Sequence, residues 1–142
     1  MMDLNTVHLK RVFLAPPEVV FDAWVNEGII HKWLFVGPES EIVSVHVDLK
    51  VLGKFSILEL EKSNNEYIDH FGEYLEIKKP NRLVFTLSVP RHFSGESKVE
   101  IEILPKDNGS QLTLVQTGIP KDVTEESWKK MLEQLKLTLE NQ

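Results

Sequence analysis

The strongest constraint on what this chain folds into lies in its last twenty residues, from Asp122 to Asn141. Trp128, Met131, Leu132, Leu135 and Leu139 recur at i, i+3, i+4, i+7 and i+11. At about 100° per residue they fall within a sector of roughly 100°, a long apolar stripe on one side of a helix. Asp122 followed by Glu125, or Thr124 itself, is expected to cap the first turn. Glu125 and Glu126 suit the positive end of the helix dipole, and each has a lysine four residues on, Lys129 and Lys130. Leu137 alone breaks the pattern, near the opposite face. Burying five such side chains is worth at most about 8–15 kcal/mol before chain entropy. A stripe of that size demands a partner surface, and the preceding residues read mostly as strands.

Thr6 to Leu14 reads as a first strand, with Val7, Leu9, Arg11 and Phe13 on one face and His8, Lys10 and Val12 on the other. Pro16-Pro17-Glu18 opens a helix rich in Val20, Phe21, Ala23, Trp24 and Val25. Asn26-Glu27-Gly28 breaks it. Ile30, Trp33 and Leu34 then mark a second short helix that ends at Gly37-Pro38.

Six strands are expected next. Glu41 to Leu52 alternates Val43, Val45, Val47 and Leu49 with polar residues, and Phe55 to Glu61 follows with an unclear phase that suggests a bulge. Lys62 to Asn65 is a loop. Tyr67 to Ile77 places Phe71, Leu75 and Ile77 in phase, with Glu73 among them. Leu83, Phe85, Leu87 and Val89 form the next set, and Val99, Ile101 and Ile103 another. Asn108-Gly109 is a hairpin signal leading to Leu112 and Leu114, and Gly118-Ile119-Pro120 closes the sheet. The expected class is α+β: a seven-stranded antiparallel sheet around the last helix, with two short helices after the first strand.

The 142 residues fit a single domain spanning 1–142. Net charge of −6 argues against a nucleic-acid binder, because phosphates require a basic face. Cysteine is absent, which removes disulfides, thiolate metal sites and cysteine nucleophiles. Met1 to Thr6 lacks the pattern of a secretory signal, and no apolar run reaches the length of a membrane span, so a cytoplasmic protein is expected.

At this point the chain resembles a known family, the homologues of the activator of the heat-shock-protein-90 ATPase (AHSA-type), within the START-like, birch-pollen-allergen-like superfamily also called SRPBCC. The matching stretches are Arg11 to Trp24 (RVFLAPPEVVFDAW), Ile30 to Trp33 (IHKW), Asp48 to Phe55 (DLKVLGKF) and Gly72 to Ile77 (GEYLEI). They continue with Pro80 to Thr86 (PNRLVFT), Pro105 to Thr113 (PKDNGSQLT) and Trp128 with Leu132 and Leu135. Leu52-Gly53, Leu34 and Ser127 depart from the family's usual glycine, aromatic and glycine. The resemblance implies a helix-grip fold with a cavity between sheet and last helix, and it imports no catalytic residue.

The chemistry-bearing residues are few. His8 and His46 face away from the apolar side, and His31 lies on the polar side of its helix. His70, beside Phe71, and His92, in a loop able to cover a cavity mouth, stay open between structure and binding. Glu59 and Glu73 either turn inward, at a cost that requires a partner, or stay wet at an edge or bulge. No metal spacing, GxSxG elbow or EF-hand loop occurs. The reading is binding of a small hydrophobic, lipid-like or aromatic polyketide-like, ligand rather than catalysis. Trp33, Phe55, Phe71, Phe85, Trp128, Met131 and Leu132 would supply apolar contact, and Glu73, His70 or Arg91 would orient a polar end. No cofactor is assigned, and monomer and homodimer both remain open. Alternatives are a cyclase or dehydratase of polyketide-like substrates, which needs an acid–base pair in the cavity, and a module that binds the chaperone.

Overall fold

The computed structural model describes residues 4–140, so Met1 to Asp3 and the expected helix end at Asn141 lie outside the described residues. The chain runs β1 (Thr6–Phe13), α1 (Pro17–Val25), α2 (Glu27–Trp33), β2 (Ser40–Val47), β3 (Lys54–Glu61), β4 (Glu66–Lys78), β5 (Arg82–Ser88), β6 (Glu96–Lys106), β7 (Gly109–Thr117) and α3 (Lys121–Glu140). The seven strands form one sheet in the order β1-β7-β6-β5-β4-β3-β2, antiparallel at every pairing. β1 closes on β7 rather than on β2, because α1 and α2 carry the chain across to the far edge. The three helices lie over one face, and α3 runs along it as the stripe requires. Trp128, Met131, Leu132, Leu135 and Leu139 are all buried, whereas Leu137 is 48% exposed.

Local chemistry sets the boundaries. Pro17 stands in the first turn of α1, where a missing N–H costs nothing. Asn26 separates the two short helices and caps the second, its side chain accepting from the Ile29 amide at 3.2 Å. α3 begins at Lys121, just after Pro120, and the expected cap Thr124 lies inside it with its hydroxyl turned to the sheet. Glu125 lies between Lys121 and Lys129 at 3.6 and 3.7 Å, whereas Glu126 pairs with Lys129 and not with Lys130.

Three strand expectations change. β2 ends at Val47 rather than Leu52, and a register shift between Ile42 and Ser44 puts Val43 outward and Ile42 in the core. β3 keeps one phase with no bulge, Phe55, Ile57 and Glu59 facing inward. In β4 the phase is the reverse of that expected: Ile68, His70 and Tyr74 point inward, and Phe71, Glu73 and Leu75 outward. A bulge between Tyr74 and Glu76 then returns Ile77 to the core side, so Phe71 and Ile77 never shared a face. The last hairpin also shifts by one. Asp107 and Asn108 make the turn, Asp107 at φ 52°, and Gly109 already pairs with Lys106. Gly109 is needed for proximity instead, since a Cβ there would overlap the Phe13 carbonyl oxygen.

Leu135 is fully buried and Leu137 largely exposed on the same helix. Leu135→Ala is expected to cost about 2–5 kcal/mol in urea unfolding and Leu137→Ala less than about 0.5 kcal/mol. Equal costs would show that the stripe does not hold α3 in place.

Candidate functional site

One buried side chain that periodicity does not mark ties the last helix to the sheet. Gln116 of β7 is 1% exposed. Its Oε1 accepts from Trp128 Nε1 at 2.9 Å and from Thr124 Oγ1 at 2.7 Å. Its Nε2 donates to Ser97 Oγ at 2.9 Å, and Ser97 in turn donates to the Leu87 carbonyl at 3.3 Å. The first half of α3 is thereby fixed in rotation and height against β5, β6 and β7, with every hydrogen-bonding group of the chain of contacts engaged.

Beside that clamp the helix and sheet do not meet completely, leaving a cavity of about 280 Å³. α3 contributes Val123, Thr124, Ser127, Trp128, Lys130 and Met131 to it. The facing wall is Glu59 of β3, His70 of β4, Leu87 of β5 and, beyond that strand, Val89 and His92. Phe35 to Pro38, between α2 and β2, close the third side.

Two polar groups on the sheet wall are paired with each other. Glu59 is 9% exposed and His70 4%, and His70 Nε2 lies 2.9 Å from Glu59 Oε1. An ionised carboxylate only accepts, so Nε2 carries the proton in this bond. The Nδ1 atom is buried without a hydrogen-bond partner. Burial pushes the Glu59 carboxyl up, but hydrogen bonds from His70 and Ser40 and the charges of His70 and His92 outweigh it and hold it below the usual carboxylate range. The His70 ring stacks on Phe35, centroids 4.1 Å apart and planes within 6°, and stands edge-on to His92 at 6.4 Å. Phe35 has φ 64°, and its amide donates to the Met131 sulfur at 3.1 Å.

Of the residues expected to contact a ligand, the structure brings His70, Trp128 and Met131 to the cavity. The others sit elsewhere. Trp33 is fully buried below it, its Nε1 donating to the Ala23 carbonyl at 2.9 Å and its ring edge-on to Trp24 at 4.7 Å. Phe55 and Phe85 pack edge-on at 5.4 Å and border a void of only about 10 Å³. Leu132 fills core between α3 and the sheet. Phe71 and Glu73 lie on the outer face for the phase reason given above, and the Glu73 amide bonds Thr86 Oγ1. Arg91 is ion-paired with Glu66 and does not line the cavity.

Phe35, Leu87, Val89, Ser127 and Lys130 line the cavity without being among the residues expected to contact a ligand. Leu87 and Val89 continue the inward phase of β5, and Thr124, Ser127 and Met131 flank Trp128 at helical spacing, which is a usable signal. Phe35 carries none, since a turn before Gly37-Pro38 says nothing of a ring folded inward. Among the described residues no group of acidic or histidine side chains has the arrangement of a metal site.

Residues 14–140 match the sequence family described as Activator of Hsp90 ATPase homolog 1-like protein. The chain belongs to that family. The AHSA1-like fold recurs in a protein of Chromobacterium violaceum, 29% identical, with a TM-score of 0.83 over 92% of this chain and 94% of that one. An AHSA1-like protein of Aeromonas hydrophila gives a TM-score of 0.84 at 19% identity, over 96% and 92% of the two chains. An HSP90 activator from Plasmodium falciparum gives 0.71 at 23% identity, over 95% and 96%. No functionally curated protein matches the chain. The helix-grip architecture implied by the seven sequence stretches is thus shown, and no helix among the described residues of this AHSA1-like chain is long and apolar enough to cross a membrane.

The low Glu59 pKa has a thermodynamic consequence. A carboxyl held below its unfolded value of about 4.3 stabilises the fold above that pH, and the contribution is lost as pH falls through the folded value. Below about pH 4.5 wild-type stability should therefore fall more steeply with acid than that of Glu59→Gln, followed by urea midpoints. Parallel curves for the two proteins would contradict the pairing.

Proposed function

We propose that this protein reversibly binds a small hydrophobic molecule in the cavity between α3 and the sheet. The observation that carries the reading is the unfilled space of about 280 Å³ beside Trp128, in a molecule whose neighbouring core is packed to a void of about 10 Å³. Interiors close to crystal density do not leave room of this size by default. Apolar faces of Phe35, Leu87, Trp128 and Met131 with a few polar groups among them are the usual composition of a ligand site. An engineered apolar cavity of about 150 Å³ takes benzene, so this one suits a body of one or two rings better than a sterol. No covalent step and no cofactor is required.

Intrinsic tryptophan fluorescence titrated with flavonoid-like, fatty-acid and sterol ligands tests this. Saturable quenching is expected from the compact ring compounds, and it should shrink in Trp128→Phe, which keeps an aromatic ring in the core. Absence of any saturable response across the panel would remove the reading.

A second reading, an enzyme of the cyclase or dehydratase type, has one observation in its favour: the Glu59–His70 pair lies on the cavity wall rather than in solvent. Acid–base catalysis requires such a group within hydrogen-bonding reach of substrate. A ligand identified by titration and recovered after prolonged incubation separates the two. Unchanged mass and chromatographic behaviour are expected for a binder, and a product that disappears in His70→Asn for an enzyme.

A further inference from the structure

The charges around the cavity are not balanced, and the imbalance indicates which polar group a ligand carries. On the inner wall the acidic group already has a partner, since Glu59 Oε1 accepts from His70 Nε2. At the α3 side the situation is the reverse. Lys121 and Lys129 are both paired with Glu125, and Lys129 also with Glu126. Lys130, the one lysine of this helix that lines the cavity, is exposed and has no ion pair among the described residues. Across from it His92 is exposed, makes no side-chain hydrogen bond among the described residues, and stands edge-on to His70 at 6.4 Å between ring centres. The neighbouring Arg91 is tied to Glu66 and is not free to serve. Lys130 and His92 thus set two cation-forming groups at one opening of a protein whose net charge is −6.

We propose that the ligand is a ring-bearing carboxylate, with its ring inside against Trp128 and Phe35 and its anionic group at the opening beside Lys130 and His92. This rests on the cavity-binding reading and specifies its ligand. The orientation follows from the charges: a carboxylate directed inward would face Glu59, whereas directed outward it meets the unpaired lysine. An amine would have to reach Glu59 on the inner wall, past Lys130 and His92, and share a carboxylate that already holds His70. The ring goes inward because the aromatic rings of Phe35, His70 and Trp128 border the space there.

The test is isothermal titration calorimetry of the full chain with three probes sharing one bicyclic body: naphthylacetate, naphthylethanol and naphthylethylamine. Wild type is expected to bind the acid about fivefold to tenfold more tightly than the alcohol at low salt, the amine most weakly, and added salt should narrow the gap. In Lys130→Met the acid-to-alcohol ratio should fall to near one. Lys136→Met, on an exposed part of the same helix, should leave the ratio as in wild type. Equal binding of acid and alcohol by wild type, an undiminished ratio in Lys130→Met, or an equal fall in Lys136→Met would each overturn the proposal while leaving the cavity as a binding site. Failure of all three probes to bind would instead remove the binding reading itself.

Discussion

The position of the last helix depends on a single amide oxygen. Burial of the α3 stripe is strong but non-directional, and five apolar side chains would tolerate a helix rotated by some degrees or slid part of a turn. Gln116 Oε1 does not tolerate it, because it accepts from two points on the helix, Thr124 and Trp128, four residues apart. With Ser97 holding the amide nitrogen, the oxygen cannot be exchanged for the nitrogen without leaving a buried donor facing Trp128. The hydrophobic effect brings the helix to the sheet, and this polar network sets its azimuth.

That azimuth explains why filled and unfilled interior lie side by side. Toward its C-terminal half α3 presents Leu132, Leu135 and Leu139 to a close-packed core. Toward its start the indole of Trp128 is drawn to Gln116 and packs on Trp24 and Phe35, at 6.0 and 5.9 Å between ring centres. The helix flank beyond it, Ser127 and Thr124, is polar and small, and cannot reach β4 and β5 across the gap. The sheet side answers with a Glu–His pair, a wall that pays for its own desolvation through mutual hydrogen bonding.

Much of this was written in periodicity. The α3 stripe, the strand count and the two short helices follow from 3.6- and 2-residue repeats, which local sterics enforce. The β4 phase did not follow, because Phe71 and Ile77 look like one alternating set and only a bulge at Leu75 separates them. Whether a bulge forms depends on the partner strand, which periodicity does not see. Glu59 was ambiguous for a related reason. Its inward position is tolerable only because His70 lies diagonally across on β4, eleven residues away. Trp128 and Met131 could be placed because helical phase is robust over one stripe, whereas Trp33, Phe55 and Phe85 went to solid core because ring count alone does not tell a lining from a filling.

Phe35 has a consequence for how the cavity changes size. A non-glycine residue at φ 64° sits about 1–2 kcal/mol above an ordinary backbone conformation. What keeps it there is its ring stack on His70, its packing on Trp128 and a weak N–H to sulfur contact with Met131. Moving the sheet wall would break ladder bonds, and moving α3 would break the Gln116 network, but withdrawing Phe35 returns backbone strain as it gives up contacts. The compliance of the interior is therefore uneven: the α2–β2 connector is the wall that can shift with the strand ladders and the Gln116 network left intact.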